Sequence, residues 1–176
     1  MPELPEVETI ARKLRPALQG QTVTVVEVQW ERTIDRPDVQ QFTEAMTGAQ
    51  FTKVSRRGKF LVMTLNTGRF LLVHLRMSGK FILRTAEEGP GTFKHARVRM
   101  LLNNGTWLLY IDQRKFGRFY LVDKVEAVTE ELGPEPLEPS FTAERLHHML
   151  EGRRGEIKRL LLNQHFIAGL GNIYVS

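Results

Sequence analysis

Between Thr22 and Asp123 the chain is cut into eight short segments rich in strand-forming residues, with no long helical pattern between them. The segments read TVTVVEVQW, FTKVS, KFLVMTL, RFLLVHLRM, GKFILRT, RVRMLL, TWLLYI and FGRFYLVD, separated by glycine or asparagine turns. Asn103-Asn104-Gly105, between RVRMLL and TWLLYI, is a strong hairpin signal. Many short strands without alternating helices argue for an antiparallel sandwich or barrel. The intervening stretch ERTIDRPDVQQFTEAMTG predicts one short helix lying over it.

Helical patterns flank this region. After Pro5 the apolar residues Val7, Ile10, Leu14 and Leu18 recur at three- and four-residue steps and Gly20 closes the run, which predicts an amphipathic helix. Pro5 suits a first turn, where its missing N–H has no partner to lose, while Pro16 predicts an early end or a kink. Glu3 and Glu6 then lie at the helix's positive end. Beyond the proline-punctuated linker GPEPLEPS, TAERLHHMLEG has Thr142 as a cap and EIKRLLLNQHFIAGLG carries Ile157, Leu160, Leu161 and Leu162. The chain stops at GLGNIYVS as a glycine turn opens another helix, and this ending reads as cut. Leu160, Leu161, Leu162, Phe166 and Ile167 are therefore expected to lack helices to pack against.

Composition narrows the function classes. The absence of cysteine excludes disulfides and thiolate metal sites and is compatible with a reducing, intracellular home. The first twenty residues do not read as a signal peptide, and no apolar run approaches the length that crosses a bilayer. The formal charge of +5 hides an asymmetry: Lys53 to Arg118 holds 14 Lys or Arg against three acids, so the rest of the chain is net negative. A regional basic field attracts polyanions, nucleic acid first and anionic membrane second.

The opening MPELPEVET places chemistry at the terminus. A small second residue normally permits removal of the initiator methionine, which would leave Pro2 as a free secondary amine. Such an amine has a pKa of about 8 against about 10.4 for lysine, so a usable fraction is unprotonated at neutral pH. Condensed with an aldehyde-like carbon it gives an iminium that cannot shed its charge and acts as an electron sink. That suits a sugar C1′ from which a base is displaced. Glu3 is placed to move protons to and from the ring oxygen, with Glu6 orienting it or sharing the work. The plainer reading is that Pro2 aids processing and the glutamates cap the helix.

PELPEVET, SRRGKFL at 55–61, HLRMSGK at 74–80, DQRKFG at 112–117, LGPEPL at 132–137 and AGLGNIY at 168–174 resemble, in order and approximate spacing, the formamidopyrimidine-DNA glycosylase family. The resemblance implies a bifunctional base-excision repair enzyme for oxidised purines, 8-oxoguanine and formamidopyrimidines, in which Pro2 attacks C1′ of a flipped nucleotide and the iminium drives β- then δ-elimination. It implies Glu3 as catalytic acid, Glu6 as a second terminal carboxylate and Lys59 facing the DNA backbone near the lesion. Met77, Arg114 and Phe116 match the residues that fill the hole left by a flipped base; Lys158 and Asn172 match a phosphate-gripping pair. Gly169, Gly171 and Asn172 would turn backbone N–H groups toward an anion. His74 and His95 match positions suited to phosphate contact or structural hydrogen bonding, and Arg97 replaces a second histidine usual after His95. His147 and His148 read as helix-surface residues, Trp30 and Trp107 as packing.

The expected fold is thus α+β: an N-terminal helix packed on an antiparallel β-sandwich over residues 1–131, followed over residues 132–176 by a linker and the first helices of a truncated helix-two-turns-helix module. The family's four-cysteine zinc finger has no counterpart, so no cofactor or metal is expected in this chain. The expected partner is double-stranded DNA carrying oxidised purines or abasic sites, bound by a cytoplasmic monomer without membrane contact. Two alternatives stand beside the enzyme: a non-catalytic damaged-DNA-binding fragment, and the sister branch for oxidised pyrimidines, against which Leu4 and the PELPEVE phrasing argue.

Overall fold

The computed structural model describes all 176 residues. Helix α1 (Leu4–Leu18) presents Leu4, Val7, Ala11, Leu14 and Leu18 to the core, a stripe at helical spacing. Ala11 rather than Ile10 occupies the middle of that stripe. Of the two outcomes expected at Pro16, the early end does not occur: the helix runs on to Leu18. The bond the proline forfeits falls in the last turn, where burial of Leu18 and the Gln19 N–H donated to the Arg15 carbonyl hold the backbone in place.

All eight expected strands form: β1 (Val23–Val28), β3 (Phe51–Arg57), β4 (Phe60–Leu65), β5 (Phe70–His74), β6 (Lys80–Arg84), β7 (Ala96–Leu102), β8 (Trp107–Ile111) and β9 (Arg118–Val122). The stretch between β1 and β3 yields the short helix α2 (Val39–Met46), capped by Asp38, and also an unforeseen strand β2 (Ile34–Arg36). Two sheets result, ordered β1-β7-β8-β6 and β2-β9-β5-β4-β3. Every pairing is antiparallel except β2 with β9, which is parallel.

The core lies between the sheets, where Met63, Leu71, Val73, Tyr110 and Phe119 meet α1 and α2. A smaller cluster of Phe60, Val62, Leu72, Tyr120 and Val122 covers the other face of the five-stranded sheet and packs under Val125, Val128 and Leu132. Burial on both faces explains why β4 and β5 read as nearly continuous apolar runs, while β7 alternates.

The C-terminal segment departs from expectation in two ways. The linker GPEPLEPS is fastened over residues 133–136, whereas residues 137–140 stay exposed: Gly133 lies against the Phe166 backbone, so closely that a Cβ there would fall 2.4 Å from its carbonyl oxygen. Glu135 accepts from Arg56, Arg57 and the Gly58 N–H. Beyond α3 (Glu126–Thr129) and α4 (Ala143–Leu150, capped by Thr142), the run EIKRLLLNQHFIAGLG is helical only over α5 (Ile157–Leu162), and the glycine turn after it opens α6 (Asn172–Val175) as expected. Asn163 ends α5 with extended backbone, and Phe166, Ile167 and Ala168 turn inward instead of continuing a surface helix. Phe166 and Ile167 therefore do find partners, contrary to expectation, whereas Leu160, Leu161 and Leu162 stay half-buried. No helix is long and apolar enough to cross a membrane.

Candidate active site

The amino terminus is clamped between α1 and the loop that precedes α6. The Leu4 N–H donates to the Gly169 carbonyl (2.9 Å), and Leu4 packs so tightly on Gly169, whose φ is +101°, that no side chain fits there. Glu3 is the N-cap of α1 and forms a capping box with Glu6, yet its carboxylate makes its short hydrogen bonds elsewhere. It turns to α6, accepting from the N–H groups of Gly171 (2.7 Å), Ile173 (2.7 Å) and Tyr174 (3.3 Å), and is 1% exposed. The glycine-rich turn is the anion site its sequence suggests, but the anion it holds is internal. Asn172 itself stays exposed, and Lys158 lies nearby, donating to the Ser176 hydroxyl (3.4 Å).

Glu6 completes the clamp. One of its oxygens accepts the Glu3 N–H (2.9 Å) and the other the Tyr174 hydroxyl (2.6 Å). The Tyr174 bond holds Glu6 below the usual carboxylate range and, in turn, pushes the Tyr174 phenol up. In the chain with Met1 in place the Pro2 nitrogen is an amide; its amine chemistry requires removal of Met1. Met1 lines an open cleft of about 490 Å³ together with Arg76, Met77, Phe116, Arg118 and Tyr120. The terminus thus opens directly beside the two exposed apolar side chains.

Lys59 occupies the tight β3–β4 turn. Gly58 has φ +57° and Arg57 pairs with Phe60, the pattern of a two-residue hairpin loop with glycine at its first central position. Lys59 is 6% exposed; burial pushes its ammonium below the usual lysine range, and the Glu3 carboxylate pulls it back up. His74, at the end of β5, packs its ring edge-on against Phe60 (4.8 Å) and accepts the Arg76 N–H at Nδ1 (3.1 Å). Desolvation, with the Arg76 and Lys59 charges, lowers it to about 3, so it is neutral at physiological pH.

Met77 and Phe116 are 47% and 48% exposed, and the Arg114 guanidinium lies over the Phe116 ring at 4.9 Å. His95 sits at the foot of the same loop: its carbonyl accepts the Asp112 N–H, and Arg97 spans from the Asp112 carbonyl (2.8 Å) to within 3.4 Å of the His95 ring. Trp30 is half-buried with the Lys115 ammonium 3.9 Å above it, and His147 and His148 lie exposed on α4.

Three groups escaped sequence reasoning. Tyr174, which holds Glu6, stands in the NIY stretch but carries no local signal that a hydroxyl is needed. Gln164 fastens the glycine loop from within, accepting the Gly169 N–H (2.9 Å) and donating to the Leu170 carbonyl (2.6 Å). Asp112 is buried beneath the Met77 and Phe116 loops; its place in DQRKFG was the only hint. No group of three or more His, Cys, Asp or Glu side chains is placed to hold a metal ion. With no cysteine in the chain, the residues present do not fit a four-cysteine zinc site.

Comparison with known proteins bears on this arrangement. The family model for the formamidopyrimidine-DNA glycosylase N-terminal domain matches residues 1–119, and that for the formamidopyrimidine-DNA glycosylase H2TH domain matches residues 132–176. Formamidopyrimidine-DNA glycosylases of Protochlamydia amoebophila and Pelotomaculum thermopropionicum are 43% and 45% identical over the whole chain. The chain spans 63% and 64% of their lengths. Lactococcus lactis Fpg, solved in complex with DNA containing an abasic site and with DNA containing FAPY-dG, superposes with a TM-score of 0.89 at 34% identity. That superposition covers 98% of this chain.

Proposed function

This chain belongs to the formamidopyrimidine-DNA glycosylase family, and from that membership we propose that it carries the catalytic groups of a base-excision DNA glycosylase for oxidised purines with AP lyase activity. Its substrate is duplex DNA containing 8-oxoguanine, a formamidopyrimidine or an abasic site. The observation that carries the reading is the Glu3 carboxylate, desolvated and fixed by three backbone N–H groups immediately beside Pro2.

Once Met1 is removed, the Pro2 nitrogen attacks C1′ of an extruded nucleotide and the base leaves with its bonding pair and a proton. Glu3 serves the ring oxygen as it opens and closes, held at one position because its cradle is backbone rather than flexible side chain. The resulting iminium acidifies C2′–H and permits elimination of the 3′ and then the 5′ phosphate. Glu6, kept ionised by Tyr174, anchors the Glu3 backbone. Lys59 faces the DNA backbone from its hairpin turn, and Lys158 with Asn172 grips a neighbouring phosphate. Met77, Arg114 and Phe116 fill the space the flipped base vacates, and His74 and His95 support that surface. Residues 1–131 form the catalytic unit and residues 132–176 the DNA-gripping unit.

Borohydride trapping on a duplex with one abasic site tests this. A covalent adduct mapping to Pro2, lost in Pro2→Gly and reduced about a hundredfold or more in Glu3→Gln, is the expected result, the factor being the lower end of what a positioned acid–base group contributes. A folded chain that binds the duplex without forming an adduct would instead establish non-catalytic damage binding.

A further inference from the structure

The two turns that carry Met77 and Phe116 share one topological feature: each crosses from one sheet to the other. Residues 75–79 lead from β5 to β6 and residues 112–117 lead from β8 to β9. Because β5 pairs with β9 and β6 with β8, the crossings run side by side at one end of the sandwich. Asp112 lies between them, 1% exposed. One carboxylate oxygen accepts the Ser78 hydroxyl (2.6 Å), next to Met77. The other accepts the Gly117 N–H (2.8 Å), next to Phe116, and the Tyr110 hydroxyl (3.2 Å). Ser78 Oγ in turn accepts the Arg114 N–H (3.1 Å).

Two further features show the crossings are shaped around this group. The Tyr110 hydroxyl passes between Gly79 and Gly117, one from each crossing, where a Cβ would lie 2.5 Å and 1.7 Å from it. Each crossing also holds a non-glycine residue in left-handed backbone, Arg76 at φ +55° and Lys115 at φ +62°. Such residues persist only where their surroundings over-determine them. A buried carboxylate is costly unless every lone pair is used, and here its acceptors are spent on joining one crossing to the other.

We propose that Asp112 is a positioning residue that yokes the Met77 turn to the Arg114–Phe116 loop, so that these side chains enter a duplex as one rigid unit. The inference rests on the void-filling role proposed above. A yoked pair pays the ordering cost of insertion once, before DNA arrives, instead of separately for each loop.

Asp112→Asn turns one acceptor into a donor facing donors; since it risks misfolding, Ser78→Ala, which cuts one arm of the yoke, carries the test. In the free 176-residue chain, amide exchange at Gly117, which Ser78 does not touch, is expected to accelerate about tenfold or more in Ser78→Ala and to recover in Ser78→Thr. Unchanged Gly117 exchange would overturn the yoke. On a duplex holding a tetrahydrofuran abasic analogue, the affinity losses of Met77→Ala and Phe116→Ala should be non-additive by about fivefold or more in the parent and additive in Ser78→Ala. Additivity in both backgrounds would also overturn it. Failure of the parent to bind that duplex would sink the void-filling role, while amide exchange still decides whether the crossings are coupled.

Discussion

Single residues set the protonation states at the site. Tyr174 is the main cause of the low Glu6 titration, so Tyr174→Phe should raise the Glu6 pKa toward the ordinary carboxylate value, read from the pH dependence of its side-chain carbon resonance. His74 offers a stability readout. Its folded pKa of about 3 lies below the roughly 6.5 of an unfolded histidine, so the unfolded chain binds the extra proton. The stability owed to neutral His74 is complete above about pH 6.5 and declines as the pH falls toward 3, with a slope of at most one proton. Replacing His74 by Gln should flatten that part of the curve in urea titrations across pH. Neither effect was legible in the sequence: Tyr174 is distant from Glu6 along the chain, and the burial of His74 depends on Phe60 from a neighbouring strand.

Among the elements, α6 does the most for its length. It is only Asn172–Val175, yet with Gly171 its amides fix Glu3. Gly171 adopts extended backbone, so its requirement is steric rather than conformational: a Cβ would lie 2.6 Å from the Glu3 carboxyl carbon. Gly171→Ala should displace Glu3 and lower trapping by about tenfold or more, toward the roughly hundredfold of a lost positioned acid–base group, while the unfolding free energy falls by only about 1–2 kcal/mol. Strands and hairpins were easier to read than this short helix. Valine- and leucine-rich runs divided by Asn-Gly or Gly turns announce themselves locally. The breakup of EIKRLLLNQHFIAGLG did not, because Gln164 and inward-facing Phe166 terminate it through contacts with the glycine loop and Gly133.

For the whole molecule, the decisive contact lies between the β3–β4 hairpin and residues 132–135. Glu135 pairs with Arg56 (2.8 Å) and Arg57 (3.2 Å) and accepts the Gly58 N–H, while Arg57 also donates to the Gly133 carbonyl (2.8 Å). These bonds fix the turn that carries Lys59 against the segment that leads to the Glu3 cradle. Glu135→Ala should lower stability, measured by urea unfolding, by somewhat less than the roughly 3–5 kcal/mol of a broken buried pair, because Glu8 still faces Arg56 at 3.1 Å. The same variant should speed amide exchange at Lys59.

The sequence by itself determined eight of the nine strands, the amphipathic first helix, the basic middle of the chain and the clustering of Pro2, Glu3 and Glu6 at the amino terminus, because each of these is written in residues close together along the chain. Only the tertiary structure decided which partner each group meets. That the Glu3 carboxylate also serves α6, that Asp112 lies under two sheet crossings, and that the start of GPEPLEPS is fastened to the β3–β4 hairpin all depend on hydrogen bonds between residues distant in sequence. No local periodicity encodes such bonds. They arise because buried polar groups must be satisfied by whatever the closed fold brings within reach.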